Sequence, residues 1–303
     1  MKGFFSNIWR NRAHVVMALP GFLILFFIMY VPMAGLVMAF KQFDYSLGIF
    51  GSPWAEPWYA NIQFLIQSQK TFVNITKNTV LYYLLFTAVG TVLNVTLAIM
   101  IDQLRLKKAA KTMQTLMIIP VFISYAAVQF IVYAFIAKDT GLINNALGTN
   151  YSFYSKAAYW PWILTIVKVW KDTGYGSVLY MSVLAGIDTS LYEAADIDGA
   201  NKFQQIRHIT LPSLIPMVTV MLLLSVGNVM RSDTGLFYQI TRNSGLLYST
   251  TQVIDSYVLN QIFKSSNLGF PAATSFFQSL VGLLLMLFAN WTVRKIEPEN
   301  ALF

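Results

Sequence analysis

Six stretches of this 303-residue chain are long and apolar enough to cross a lipid bilayer, and no other feature limits its fold so sharply. A span needs about 20 apolar residues, because the hydrocarbon core is about 30 Å thick and a helix rises about 1.5 Å per residue. The runs lie near Val15–Phe40, Asn78–Ile101, Thr112–Ile136, Tyr159–Ile187, Ser213–Met230 and Ala272–Val293. Inside the bilayer no water bonds the backbone, so each run must satisfy its own amides as a helix. Charged residues make up 11% of the chain, against about 25% in soluble domains, and 56% is hydrophobic. A soluble fold of this size could not hide so much apolar surface. The expected fold class is an all-α membrane protein with six transmembrane helices. The chain reads as a single domain, 1–303, without internal repeats.

The first run has basic flanks, Arg10 and Arg12, as a signal peptide would. Its apolar stretch is about twice the length of a signal core, and no small-x-small cleavage site follows. It reads as a retained helix, tilted or kinked at Pro20 and Pro32. Lys and Arg set the orientation. Lys2, Arg10 and Arg12 precede the first run, Arg105, Lys107, Lys108 and Lys111 crowd the loop after the second, and Arg294 and Lys295 follow the sixth. All fall on one side if both termini are cytoplasmic. The net charge of +8 then reflects basic cytoplasmic flanks rather than a nucleic-acid partner.

The outward loops are longer and aromatic. Lys41–Lys77 contains Pro57-Trp58-Tyr59, and Lys138–Ala158 contains Asn144-Asn145 and Gly148-Thr149-Asn150-Tyr151. Arg231–Pro271 is long for a loop without structure. A short helix is expected near Thr251–Phe263, with Val253, Tyr257, Val258 and Ile262 on one face. Phe4, Phe5, Ile8 and Trp9, opposite Lys2 and Arg10, suit a helix lying in the inner interface.

Between the fourth and fifth runs, on the expected cytoplasmic side, lies a polar segment that crossing a bilayer does not require. Ser190-Leu191-Tyr192-Glu193 fits a capping box. Asp188, Glu193, Asp196 and Asp198 would sit early in the helix, where its dipole favours negative charge. Ala194 and Ala195 are small enough for another surface to approach closely. Gly199 can take a left-handed conformation and end the helix. A second short helix near Asn201–Ile209 follows, and Pro212 is tolerable in the first turn of the fifth span. The product is an exposed two-helix elbow, 188–212.

The spacing Glu193-Ala194-Ala195, three residues, Gly199, nine residues, Ile209, one residue, Leu211-Pro212 resembles the coupling loop of permease subunits of binding-protein-dependent ABC importers. The resemblance continues through Trp170-Lys171-Asp172-Thr173-Gly174-Tyr175, Leu184-Ala185-Gly186-Ile187-Asp188 and Ile206-Arg207-His208-Ile209. It extends to Leu236-Phe237-Tyr238, Val253-Ile254-Asp255-Ser256-Tyr257 and Asn290-Trp291-Thr292-Val293-Arg294-Lys295. Together these are similar to the oligosaccharide and polysaccharide branch of carbohydrate importers, akin to the alginate and maltose permeases. Ser256 stands where that branch carries Thr, a change of one methyl. The resemblance implies a multi-pass subunit of a prokaryotic plasma membrane, with Glu193, Ala194, Ala195, Asp198, Gly199, Ile209, Leu211 and Pro212 coupling to an ATPase. It implies as partners a second homologous permease, two ATPase subunits, an extracellular carbohydrate-binding protein and an oligosaccharide. It also implies that ATP and Mg sit on the ATPase, with no cofactor on this chain.

Polar residues within spans are costly and tend to face an aqueous cavity or a helix partner. The fourth run concentrates them: Lys168, Lys171 and Asp172, with Trp170, Tyr175 and Tyr180. Lys168 and Asp172, four apart, can pair on one face. Gly174 and Gly176 would loosen that helix or let a neighbour pack closely. The fifth run ends at Asn228, Arg231 and Asp233. Aromatic faces and polar groups together suit a carbohydrate path, although aromatic belts and Lys–Asp helix pairs arise without one. Asn94, Tyr125 and Gln129 are weaker candidates, since such groups often bond between helices.

Several chemistries have no residues to run them. The chain has no cysteine and only His14 and His208, so no thiolate nucleophile or metal-ligand spacing arises. It lacks a Gly-x-x-x-x-Gly-Lys-Ser/Thr loop, so an ATP-driven process must borrow its engine. Asp172 is nearly alone as an acid within the spans, which counts against a proton-coupled secondary transporter. Two other readings remain: an ATP-independent transporter or channel, and a membrane scaffold or sensor without a substrate path. Uptake without an ATPase would mark the first. Transport unaltered by replacing Trp170, Tyr175 and Asp233 would mark the second.

Overall fold

The apolar runs fold as helices. The computed structural model describes residues 10–67, 69–104, 106–264, 268–296 and 298–301, and every regular element among them is helical. The N-terminal amphipathic stretch with Lys2, Phe4, Phe5, Ile8 and Trp9, and Arg105 of the basic loop, lie outside the described residues. Close packing divides the chain into two units, one within Met1–Gln67 and Gln261–Phe277, the other within Ser68–Asn260 and Gln278–Phe303.

In the first unit, α1 (Arg12–Phe40) changes form along its length. It is an α-helix to Leu25, a π-turn over Phe26–Tyr30 and a 3-10 helix from Val31. Pro32 has no N–H to give the carbonyl one turn earlier, and its ring crowds that carbonyl, so the regular ladder ends there. Pro20 is carried inside the α-helical part. Nearly all of α1 is exposed and apolar, with only Ala39 buried. After it, α2 (Ala60–Gln67) brings the buried Asn61 amide to the carbonyls of Ala39 (3.1 Å) and Lys41 (2.9 Å).

The second unit is built on α3 (Gln69–Asp102), α4 (Lys107–Phe122), α5 (Tyr125–Ile136), α6 (Leu142–Leu147), α7 (Trp160–Leu184), α8 (Thr189–Ile197) and α9 (Lys202–Val226). α10 (Ile254–Lys264) and α11 (Gly269–Ile296) follow. By length and apolar composition, α1, α3, α9 and α11 suffice to cross a membrane, and α4 with α5 makes a fifth crossing if the pair counts as one. The 25-residue α7 is long enough, but Lys168, Lys171 and Asp172 take it out of that count.

The third run is not one straight helix, as Thr112–Ile136 suggested. α4 and α5 meet at 100°. Pro120 lies in the last turn of α4, and Ser124 starts α5 by accepting the Ala127 amide (3.3 Å). Apolar periodicity runs unbroken across this corner because both sides are equally hydrophobic.

Two apolar clusters hold the second unit. One joins Tyr82, Val132, Trp160, Leu164, Leu236 and Ile240; the other joins Ala98, Ile99, Tyr180, Leu184 and Leu214. Both rest on α3 and α7, toward opposite ends of those helices. The first is anchored by Trp160, whose indole N–H donates to the Phe153 carbonyl at 2.9 Å. Close approach is secured by Gly174 and Gly176: a Cβ on Gly174 would strike the Met117 backbone of α4, and one on Gly176 the Asn94 side chain of α3. These glycines pack the helix rather than loosen it.

The helix expected near Thr251–Phe263 is α10, but its inward face differs. Ile254, Ser256 and Asn260 are buried, with Val253 just ahead of it, while Ile262 is exposed. Ser256 earns its burial by bonding the Val253 amide (3.1 Å), and Asn260 by pairing with Asn243 (2.7 and 3.0 Å). Hydrophobic periodicity does not detect buried polar positions satisfied in this way.

Candidate functional site

Between the two apolar clusters, the middle of α7 carries a polar groove. It consists of two cavities of about 260 and 290 Å³ that share Phe86, Thr87, Lys168 and Ser225. Lys168 lies at the junction. Its ammonium is 2.6 Å from Asp172, one turn along α7, and 3.7 Å from Asp233, beyond α9. The (i, i+4) pair expected from the sequence therefore forms, and a second carboxylate from another segment joins it. One carboxylate balances a lysine that would be costly in a low-dielectric interior, and the second leaves the three groups together net negative.

The turn after α9 positions the other polar groups. Asp255 accepts from the Ser232 amide and hydroxyl, both at 2.7 Å. Gln278 ties the same turn by donating to the Met230 carbonyl (2.6 Å) and to Asp255 (3.3 Å). With this turn fixed, Asn228, Arg231 and Asp233 all line the groove. Arg231 also donates to the Ser279 hydroxyl at 3.3 Å.

The opposite wall comes from α3. Thr79, Tyr83, Thr87 and Thr91 recur every four residues on it, and Tyr82 and Asn94 flank them. Tyr83 shares a hydrogen bond of 2.8 Å with Ser225 of α9. The Tyr82 hydroxyl and the Asn94 carbonyl oxygen are buried without a hydrogen-bond partner. Such atoms cost free energy unless something satisfies them.

Six of the residues expected on a substrate path thus converge: Lys168, Asp172, Tyr180, Asn228, Arg231 and Asp233. Three do not. Trp170 lines a separate apolar recess with Val128 and Val132, and Tyr175 is exposed. Lys171 turns into the protein, 6% exposed, and donates to the carbonyls of Pro120 (3.2 Å), Val121 (2.7 Å) and Ile123 (2.6 Å). Those are carbonyls that the α4–α5 corner leaves short of helical partners. Its ammonium also lies 5.1 Å from the centre of the Tyr125 ring. Lys171 caps a broken helix. Its neighbour three residues earlier faces the groove.

Sequence reasoning missed the α3 wall apart from Asn94. The four-residue recurrence of Thr79, Tyr83, Thr87 and Thr91 within an apolar run was the available signal.

α7 ends at the elbow. Its first helix, α8, is capped by Asp188, whose carboxylate accepts the Ser190 amide at 2.9 Å. This replaces the capping box expected at Ser190 and Glu193, because the helix starts two residues earlier. The Ser190 amide and hydroxyl hold the Asp188 carboxyl below the ordinary carboxylate range. Asp196 and Asp198 lie at the C-terminal end of α8, not early in it. Asp196 is offset there by the Gln205 side-chain amide and by Lys202 at 3.9 Å.

Gly199 ends α8 as expected, with φ +76°. The Gly199 amide donates to Asp196 (3.2 Å) and the Ala200 amide to Ala195 (2.9 Å), the two bonds of a Schellman cap. Asn201 and Gln204 then form a reciprocal capping box (2.8 and 2.9 Å). The second helix is not separate: it continues as α9 through a π-turn over Ile206–Thr210, with Pro212 in the first turn after it. Tyr192 and Thr210 share a bond of 2.9 Å that ties the two arms together.

Glu193, Ala194, Asp198, Gly199, Leu211 and Pro212 are exposed, and Ala195 and Ile209 are half-buried. The elbow also exposes two large apolar side chains, Ile197 at 87% and Phe203 at 70%. Neither was singled out from the sequence, yet both stand on a polar segment where water would otherwise surround them. A few such groups on a rigid support are what a protein partner buries.

The model of the family described as "Binding-protein-dependent transport system inner membrane component" matches residues 94–300. Protein LplB of Bacillus subtilis (strain 168) is 29% identical, over 96% of this chain and 91% of its own length. The polygalacturonan/rhamnogalacturonan transport system permease protein YteP of the same strain is 28% identical, over 99% and 93%. Among solved structures, a chain of a bacterial ABC transporter involved in the import of the acidic polysaccharide alginate aligns with a TM-score of 0.85. It is 29% identical, and the alignment covers 97% of this chain and 99% of that one. The alginate transporter in complex with an alginate pentasaccharide-bound periplasmic protein aligns with a TM-score of 0.84. The present chain therefore belongs to the inner-membrane components of binding-protein-dependent transport systems, as a multi-pass permease subunit of the bacterial inner membrane and not an enzyme.

Proposed function

We propose that this chain moves an oligosaccharide across the membrane by alternating access, driven by ATP hydrolysis on separate ATPase subunits. The observation that carries this reading is the course of α7. Its middle lines the polar groove with Lys168 and Asp172, and its C-terminal end leads directly into the elbow. A force applied at 188–212 would thus reach the groove through one continuous helix. The sugar substrate is supported by the groove's chemistry and by the relatives whose names carry alginate and polygalacturonan.

The membrane arrangement proposed is six spans within one domain, 1–303: α1, α3, the bent α4–α5 pair, α7, α9 and α11. Both termini and the elbow are cytoplasmic. α7 can cross despite its charges, because Lys168 is paired with two carboxylates and Lys171 with three carbonyls. A second, homologous permease completes the pore, and a binding protein delivers the sugar from outside. Two ATPase subunits hold ATP and Mg, and one of them docks on the elbow at Glu193, Ala194, Ala195, Asp198 and Gly199, with Ile197 and Phe203 alongside. The elbow must bind differently in the two states, or ATP could not bias the pore.

The test begins with gentle extraction, crosslinking and mass spectrometry of what accompanies the tagged chain. The complex is then reconstituted with a labelled oligosaccharide released from the captured binding protein. ATP-dependent uptake that Lys168→Met reduces at least tenfold supports the proposal. Equal uptake without ATPase subunits replaces it with an ATP-independent transporter.

A further inference from the structure

A second polar cavity, of about 310 Å³, lies away from the groove and shares no residue with it. Tyr133, Lys138, Ser152, Tyr154, Arg242 and Ser244 line it. No carboxylate lines it, and among the described residues no ion pair engages Lys138 or Arg242. Two cations thus face one cavity with hydroxyls beside them.

Both walls are built rather than loose. On one side Asn144, almost fully buried, donates to the carbonyls of Ala137 (2.9 Å), Lys138 (3.0 Å) and Tyr151 (2.9 Å). That fixes the loop carrying Lys138 and Ser152. On the other side Arg242 and Asn243 hold φ values of 54° and 48°, a left-handed conformation that costs any residue with a Cβ. Asn243 is locked there by Asn260 and by the Tyr248 hydroxyl at 2.9 Å. The Arg242 guanidinium is laid over the Tyr133 ring at 4.6 Å. Burial pushes the Tyr154 phenol up to about 12 even though Arg242 pulls it down, so it stays a neutral donor. Backbone strain kept by surrounding bonds is found where a side chain must be presented.

An Arg fork, a Lys point charge and serine hydroxyls make a receptor for a carboxylate. One wall is the loop between α5 and α7, the other is the segment between α9 and α10 that carries Arg242 and Ser244, and the cavity lies toward the end of α7 opposite the elbow. The geometry points to a docking pocket for an acidic side chain of the solute-binding protein. This rests on the importer reading, in which that end of the molecule faces outward. Opposite charges across such a contact speed encounter and fix register.

The experiment uses the whole importer in phosphatidylcholine proteoliposomes, with the binding protein recovered in the pull-down. ATP hydrolysis is followed against binding-protein concentration. The double variant Lys138→Gln, Arg242→Gln is expected to raise the half-saturating concentration at least tenfold. Unstimulated hydrolysis stays unchanged, and the salt dependence of docking becomes shallower. Arg242→Lys should recover part of the loss. In the unmodified complex, poly-L-glutamate should compete with the binding protein. Unchanged half-saturation in the double variant overturns the inference, as does a lack of competition by poly-L-glutamate. So does an effect that appears only in anionic lipid, which would assign the pocket to headgroups. A shift in preference between acidic and neutral sugars at constant half-saturation also overturns it, assigning the pocket to a uronate. Failure of the binding protein to stimulate the unmodified complex would instead remove the importer reading itself.

Discussion

The elbow and the groove lie on the same helix and are held together in opposite ways. The elbow's bonds join residues 18 or fewer apart, from the Asn201–Gln204 box to the Tyr192–Thr210 tie. The ties that shape the groove reach further along the chain, 23 residues from Ser232 to Asp255, 48 from Arg231 to Ser279 and 142 from Tyr83 to Ser225. Local bonds form at little loop-closure cost and leave a readable spacing in the sequence; distant ones depend on the whole fold. Damage to the elbow should therefore spare the fold and abolish coupling. Damage to the supports of the groove should spread through the molecule.

The largest effect is expected at Lys171. Replacing it with Met fills a similar volume but takes the donor from the Val121 and Ile123 carbonyls and leaves the Pro120 carbonyl with the Ile123 amide alone. A hydrogen bond to a charged group contributes about 1.5–3 kcal/mol, so a loss of about 3 kcal/mol or more is expected. Thermal unfolding in detergent should fall by roughly 5–10 °C. Lys168→Met, three residues away, should unfold within a few degrees of the parent and lose transport instead. Equal melting losses in both variants would erase the distinction between support and path.

Gly199→Asp comes next and probes the other region. A Cβ there meets nothing within 4 Å, so the cost to the fold is backbone strain of roughly 1–2 kcal/mol. The protein should insert and assemble with its partner permease, while ATP-driven uptake falls at least tenfold. Normal uptake at normal expression would end the lever role of the elbow.

The same contrast decides what could be read from the chain. Helix class, the Lys168–Asp172 pair, the Gly199 stop and the early-turn Pro212 were legible because each depends on neighbours along one helix. The α4–α5 corner was not legible. Pro120 and the Ser124 cap mark it locally, but the lysine that bonds its carbonyls comes from α7, about fifty residues later, and hydrophobicity is the same on both sides. For the same reason Lys171 and Lys168 looked alike as intramembrane charges, although one faces a corner and the other the groove. Asp188 displaced Ser190 as the cap through a shift of two residues, the scale on which helix ends are hardest to place. The buried Ser256 and Asn260 of α10 were hidden because polar side chains carry no apolar period.

A smaller effect on the fold, but a specific one on assembly, is expected from Ile197→Ser with Phe203→Ser. Both side chains are exposed in the isolated subunit, so melting should not change. Burying a large apolar side chain contributes about 1.5–3 kcal/mol, so ATPase binding should weaken roughly tenfold or more. Surface-based affinity measurement with the purified ATPase reads this directly. Unaltered affinity would confine the coupling contact to Glu193, Ala194, Ala195, Asp198 and Gly199.

The smallest effect belongs to the Asp188 cap. Its carboxyl is held below the ordinary range by the backbone amide and the hydroxyl of Ser190. A depressed value means the folded elbow prefers the ionised form. The stabilisation is fully present above the unfolded-state value of about 4 and is lost as the pH falls through the lower folded value. Between pH 5 and 8 the cap should therefore contribute constantly, and coupling should show no pH dependence from this group. Asp188→Asn keeps an oxygen that can accept the Ser190 amide, so it should couple almost normally at pH 7. Asp188→Ala should weaken only the first turn of α8, seen as faster amide exchange at Ser190 and Leu191 with the rest of the chain unchanged. Faster exchange spreading into α7 would mean that the elbow and the groove are not separate structural regions, and the contrast drawn between them would fail at its junction.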